Sequence, residues 1–277
     1  MQQELILKPE EEPQFSSADL PLVSIIIPTY NCATFITLTL DSVVEQNYPR
    51  LEVIAIDAGS TDRTLEILQS YAHVRLIAAN EKSTYAQINQ GIALAQGVYL
   101  NILFAGDFYI HRHTLLDMMN CALDHRMPNL VYCGTLLRDG RNEVKFLFRA
   151  LTLHLLKRGQ QPTSLQGCWF KKETFEKIGL FRTDLQLRSG FDFLCRFCLH
   201  HSMQFAALRR ALTDYDLRWV SARTAGRHFL ETLKTVYRHF GIWAMVNWLI
   251  SQKDVGRFLN LWKRRLSFAF FGKDKKR

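Results

Sequence analysis

Three times along the chain an apolar run ends in polar residues: Pro28, Thr29, Tyr30 and Asn31 close "VSIIIPTYN", Asp57, Gly59 and Ser60 close "LEVIAIDAGS", and Asp107 closes "LNILFAGD". A carboxylate such as Asp57 can accept hydrogen bonds from a nucleobase or ribose. One such as Asp107 can coordinate a hard divalent cation, Mg²⁺ or Mn²⁺, that neutralises phosphate oxygens. Together these groups suit a nucleoside diphosphate leaving group. Turn formation or helix capping would explain any one of the three sites, Asp107 included, which stands shortly before a helix expected near His113. It explains three successive sites less well. No GxGxxG follows the first run and there is no Walker lysine, so dinucleotide binding and ATP hydrolysis lack their usual supports.

The elements that would position these residues are legible. The β-branched run from Leu22 predicts a strand buried on both faces, and Cys32 to Gln46 shows helical spacing through Phe35, Leu38 and Val43. "LEVIAID" predicts a second buried strand, and "TDRTLEILQSYA" a helix behind a Thr and Asp cap. "VRLIAA" is a third strand, "YAQINQGIALAQG" a helix closed by Gly97, and Leu100 to Ile110 a fourth strand that breaks at Gly106. Alternating strands and helices define an α/β domain with a mostly parallel sheet. Ligands of such sheets bind beyond the carboxyl ends of the strands, where all three polar sites fall.

Charge divides the chain. From Gly226 to Arg277 there are 12 Lys or Arg against three acids, a surplus of +9, which equals the net charge of all 277 residues. Residues 1–225 therefore sum to zero, and the expected organisation is an acidic tail (1–21), a catalytic domain (22–225) and a basic helical segment (226–277). In that segment Val255, Phe258, Leu259, Trp262 and Leu266 share one helix face while Lys253, Arg257 and Arg264 lie opposite. That pattern suits either an anionic membrane surface or packing against the catalytic domain. No nucleic-acid-binding module is recognisable. The first twenty residues contain no long apolar region, and "GIWAMVNWLI" is too short to span a bilayer, so a cytoplasmic chain is expected, peripheral at the inner membrane face. The six cysteines are scattered, and Cys195 and Cys198 read as small apolar residues of one helix.

"VSIIIPTYNCATFITLTLDSVVEQNYPRLEVIAIDAGSTDRTLEIL" closely resembles the opening of family 2 glycosyltransferases, with their PxYN strand end and DDGS or DGGS signature. "NQGIALAQGVYLNILFAGD", "SLQGCWFKKETFEKIGLFRTDL" and "GFDFLCRF" resemble their later segments, so the likeness runs from about residue 22 to 200. It implies a GT-A fold and a metal-dependent hexosyl transfer, with inversion, from a nucleotide-sugar donor to a glycan or lipid-linked acceptor, as in cell-surface polysaccharide synthesis. By the same resemblance Asp57 meets the nucleobase beside Asn31 and Ser60, and Asp107 holds the cation. "FAGD" supplies one acid where many members supply two, which leaves Tyr109 or His111 to assist. Inversion needs a general base at the acceptor hydroxyl. The family's usual catalytic Asp falls on Gly190, so Asp192, or else Asp184, is the expected base. The alternative is a nucleotide-sugar-binding protein that has lost its base and acts as a regulatory or scaffolding subunit.

Overall fold

The computed structural model describes residues 19–138, 144–216 and 222–252. Its first half follows the sequence closely. Strand β1 (Val23–Thr29) is buried along its whole length, as a run apolar on both faces requires, and leads into helix α1 (Ala33–Val44). Then come β2 (Leu51–Asp57), α2 (Thr64–Ser70), β3 (Val74–Ala78), α3 (Thr84–Leu94) and β4 (Tyr99–Ile102). These four strands pair in parallel in the order β3-β2-β1-β4.

The second half extends the sheet. Helix α4 (Thr114–Asp124) precedes β5 (Leu130–Arg138) and β6 (Val144–Leu147). After α5 (Leu153–Lys157) and a 3-10 turn at Leu165–Gly167, β7 (Cys168–Lys171) inserts between β4 and β5, antiparallel to both. Helices α6 (Glu173–Ile178) and α7 (Ser189–Leu199) lead to β8 (Phe205–Asp216), which runs parallel to β5. The result is a mainly parallel eight-stranded sheet.

Alternation along β1 builds two cores. Val23, Ile25 and Ile27 face α1, α2 and α4 through Leu40, Leu68 and Met118, whereas Ile26 faces α3, α5, α6 and α7 through Ile88, Leu156, Phe175 and Phe193. A Cβ on Gly91 would stand 2.4 Å from Ile26 Cγ2, so only glycine lets α3 approach β1 this closely.

Two local expectations are corrected. Strand β4 stops at Ile102 instead of running toward Ile110, because Leu103 makes the last main-chain bond to Ile26 and Gly106 (φ +98°) then reverses the chain. Helix α3 ends at Leu94, where Ala95 turns extended, and Gly97 instead lies where a Cβ would press on the Ser24 backbone at 2.5 Å.

The basic segment enters the fold differently from a separate extension. Helix α8 (Ala222–Ser251) begins before the 225/226 boundary and is broken at Gly241 (φ +79°, ψ −179°). Both halves contribute to the second core, through Val236 and Trp248. The stripe from Val255 to Leu266 lies outside the described residues, as does most of the acidic tail. No helix among the described residues is long and apolar enough to cross a membrane.

Candidate active site

Adjacent parallel strands bring the first two polar strand ends together, and side-chain hydrogen bonds then stitch the loops. Asn31 sits in the left-handed region (φ 45°), where asparagine is better tolerated than most residues. Its N–H donates to Ser60 Oγ (2.9 Å), and its Oδ1 accepts from Thr61 N–H (2.8 Å). Asp62 Oδ1 accepts from Thr64 N–H (3.0 Å) and Oγ1, giving α2 the cap expected of it, while Oδ2 takes Ala33 N–H at the start of α1. The Thr64 hydroxyl, first among these donors, holds the Asp62 carboxyl below its ordinary value.

Asp57 is the centre of this turn. Its Oδ1 accepts from Gly59 N–H (2.9 Å) and Ser60 N–H (2.7 Å), and its Oδ2 from Thr29 Oγ1 (2.9 Å) and Ser60 Oγ (2.6 Å). Four donors occupy the four acceptor positions of a carboxylate, and Asp57 is only 4% exposed. The groups left facing outward are Tyr30, Asn31 and the Gly59–Ser60 main chain, with Pro28 and Thr29 buried beneath. Asp57 therefore shapes the surface that a nucleobase would meet. Asp57→Ala is expected to cost roughly 1–3 kcal/mol of fold stability, because buried donors lose their partner, and to weaken nucleotide binding about as much. Parallel thermal melts and calorimetry check both. Lost affinity at unchanged stability would mean that the carboxylate touches the nucleotide and does not build the turn.

Asp107 lies five residues past the end of β4 and is 3% exposed. Thr39 of α1 accepts from Gly106 N–H (2.9 Å) and donates to the Asp107 carbonyl (2.8 Å), which fixes the backbone. Gln166 Nε2 donates to Asp107 Oδ2 at 2.5 Å. Gln166 is itself held, since Asn101 Nδ2 donates to the carbonyls of Gln166 (2.9 Å) and Cys168 (2.8 Å), and Tyr109 Oη donates to Asn101 Oδ1 (2.7 Å). Beneath this turn, Thr135 Oγ1 lies within hydrogen-bond distance of the hydroxyls of Thr163, Ser164 and Thr213. The rail from Tyr109 through Asn101 to Gln166 is buried throughout.

The Tyr109 hydroxyl is spent inside the core on Asn101, while His111 offers its main-chain carbonyl to Gln46 Nε2 and Thr114 N–H. At the start of helix α4, Gln46 Oε1 accepts from Leu115 N–H (3.1 Å).

The expected base lies elsewhere. Asp192 is in the first turn of α7, fully buried against α8. Its Oδ1 accepts from His239 Nε2 (2.8 Å) with Arg238 3.5 Å away, and its Oδ2 accepts from Arg196 Nε (3.0 Å). Burial alone would raise its pKa, but the His239 hydrogen bond and the charges of His239 and Arg196 outweigh it, and the net shift is downward. A general base must reach the proton it abstracts. Asp192, as folded, reaches Arg196, Arg238 and His239. Asp184 is more exposed, but Arg182, first, and Lys234 hold its carboxyl far below the ordinary range, which makes it a weak base. A Cβ on Gly190 would stand 3.3 Å from Leu165 Cδ1, so hydrocarbon already fills the space a side chain there would enter.

Sequence reasoning missed Gln166, Asn101 and Glu231. Glu231 of α8 accepts three successive main-chain N–H groups, from Gln186 (3.0 Å), Leu187 (2.8 Å) and Arg188 (2.9 Å), and so fixes the loop before α7. Arg188, buried beside it, donates to Gly159 O (2.7 Å) and Gln161 Oε1 (3.1 Å), and burial lowers its pKa to about 10. The thiols of Cys195 and Cys198 are likewise pushed up by burial, as small apolar residues of α7.

Among the described residues no three His, Cys, Asp or Glu side chains converge as a metal cage. The donor set at Asp107 is one carboxylate. It fits a cation that takes most of its ligands from a diphosphate and water, as Mg²⁺ does with one or two carboxylates.

The mainly parallel sheet, with strand ends that gather polar loops on one edge, is of the GT-A type. Residues 24–197 match the model of "Glycosyl transferase family 2", and the chain belongs to that family. It is 28% identical over 257 residues to a PGL/p-HBAD biosynthesis glycosyltransferase of Mycobacterium bovis, covering 88% of this chain and 98% of that one. A shorter match, 40% over 93 residues, is to an Escherichia coli chondroitin synthase, 32% of this chain and 14% of that protein. Among solved structures it resembles S. aureus TarS in complex with UDP (TM-score 0.63, 20% identity, 79% of this chain and 65% of that one). It also resembles a Pyrobaculum calidifontis mannosyltransferase in complex with GDP-Man and Mn²⁺ (TM-score 0.60, 18% identity, 94% and 84%).

Proposed function

We propose that the protein transfers a hexosyl group, with inversion, from a nucleotide-sugar donor to a glycan or lipid-linked acceptor. Its setting is the cytoplasmic face of a membrane, in the synthesis of cell-surface polysaccharide or glycolipid. The observation that carries the reading is the joined edge of β1 and β2, where Asp57 and Asn31 bind the two loops into one nucleotide-facing surface. The Thr29–Asn31 and Gly59–Ser60 segments receive the nucleoside. Asp107, oriented by Gln166, holds Mg²⁺ or Mn²⁺. The cation supplies charge neutralisation for the departing diphosphate. The relatives named above, which include a PGL/p-HBAD biosynthesis glycosyltransferase and proteins solved in complex with UDP and with GDP-Man, support a nucleotide-sugar donor.

One observation favours a second reading, a binding or scaffolding subunit without turnover. Leu165 fills the space beside Gly190, and both nearby acids, Asp184 and Asp192, are tied into ion pairs. The two readings agree on donor binding and differ in chemistry. The experiment is a panel of UDP, GDP and dTDP sugars, with release of nucleoside diphosphate measured in the presence and absence of glycan and lipid-phosphate acceptors. Release above the enzyme-free rate supports transfer. Saturable binding with no release across the panel supports the subunit, and absence of binding to every donor overturns both.

A further inference from the structure

We infer that the second half of α8 is a docking face for an anionic membrane surface. Gly241 breaks the helix, and the stretch that follows, from Ile242 to Ser251, has two apolar sides. The inner one is used, with Trp248 buried against Phe229 (ring centroids 4.9 Å apart) and Met245 and Leu249 packed on the second core. The outer one is not. Trp243 is 79% exposed and Ile250 58%. Trp243, Asn247 and Ile250 stand at i, i+4 and i+7, which places them on one face of the helix.

Charge selects the occupant. Residues 241–252 contain no Asp, Glu, Lys or Arg, and residues 253–277, which follow directly, carry nine basic and two acidic side chains, a net +7. An exposed indole and isoleucine either side of Asn247, followed along the chain by such a charge, match the two layers of an anionic bilayer surface, in which tryptophan prefers the interface and basic residues meet lipid headgroups. A second copy of the chain fits less well, because pairing these faces would bring two +7 segments together against their mutual repulsion. The helix is too short and too polar to span, so it lies on the surface. The reading of a lipid-linked acceptor gives this attachment a purpose, but the face is argued independently of it.

The test uses the full chain, with sedimentation on vesicles of phosphatidylcholine alone and of phosphatidylcholine with phosphatidylserine. Wild type is expected to pellet with the anionic vesicles and to be released as salt rises. Trp243→Glu, at a solvent-facing position, is expected to bind at least tenfold more weakly while keeping the wild-type melting temperature and its stabilisation by UDP and Mn²⁺. Equal pelleting of wild type and variant, or equal pelleting on neutral and anionic vesicles, would overturn the inference. So would a dimer, detected by light scattering without lipid, that Trp243→Glu dissociates. Vesicle binding by a protein that ignores every nucleotide sugar would leave the docking face standing and remove the transferase reading.

Discussion

UDP at about 100 times its dissociation constant, with Mn²⁺ present, is expected to stabilise the protein by about 2.7 kcal/mol. For a chain of this size that is a rise in Tm of roughly 5 to 10 °C. If GDP or dTDP is the preferred nucleotide, the same gain appears with it instead. Asp107→Ala is expected to lose the Mn²⁺-dependent part and to behave with Mn²⁺ as wild type does with EDTA. The reason is electrostatic: a buried carboxylate and a diphosphate repel unless a cation lies between them. Gln166→Met keeps the volume of the side chain but removes the donor at 2.5 Å from Asp107 Oδ2. The Gln166 backbone stays pinned by Asn101, so the turn should survive. This variant is expected to need at least tenfold more Mn²⁺ for half-maximal stabilisation by the nucleotide. Thermal shift titrations of Mn²⁺ at fixed nucleotide check both variants. Equal stabilisation of wild type by UDP in EDTA and in Mn²⁺ would remove the metal role of Asp107. A normal Mn²⁺ requirement in Gln166→Met, with Asp107→Ala impaired, would make Gln166 a packing residue only.

What the sequence made legible follows from range. Strands β1 to β4 and the helices between them are local patterns: β-branched runs apolar on both faces, Asp62 two residues before the start of α2, glycines where the chain must reverse. The strand ends are therefore readable, and so is the edge they form. Gln166 is 59 residues from Asp107 and stands in "SLQGCW", where neither residue type nor spacing marks it. Nothing short of the inserted, antiparallel β7 brings that turn beside β4. Asn101 fails for the opposite reason, since inside an apolar strand an Asn reads as an edge or an exception. Here it is the buried amide that joins β4 to the Leu165–Gly167 turn.

A correct count of charge can mislead about place. The surplus beyond Gly226 is real, but Arg238 and His239 in that stretch face Asp192 and are used inside the fold. Glu231, the one acid among residues 226–252, holds the loop before α7. Taking 226–252 out leaves +7 of the +9 in residues 253–277, beyond the described residues.

Asp192→Asn is expected to destabilise the protein by about 3 kcal/mol, at the lower end of the range for breaking a buried ion pair, because Arg196 and Arg238 keep partial access to water. The substitution preserves shape and removes charge. Arg196 also donates to the carbonyls of Ile178, Gly179 and Leu180, so losing the carboxylate loosens the link from α7 to the turn after α6 as well as the link to α8. The pH dependence has a definite sign. The folded carboxyl titrates below its unfolded value of about 3.9. Its contribution is thus fully present above that pH and is lost as pH falls through the lower, folded value. The stability gap between wild type and Asp192→Asn should therefore narrow as pH falls below about 4. Denaturant unfolding from pH 7 to pH 3 measures the gap directly. If Asp192 were instead the general base, Asp192→Asn would abolish transfer with little change in stability at any pH. That outcome would require α8 to move away from α7 during turnover and would return the catalytic role to this residue.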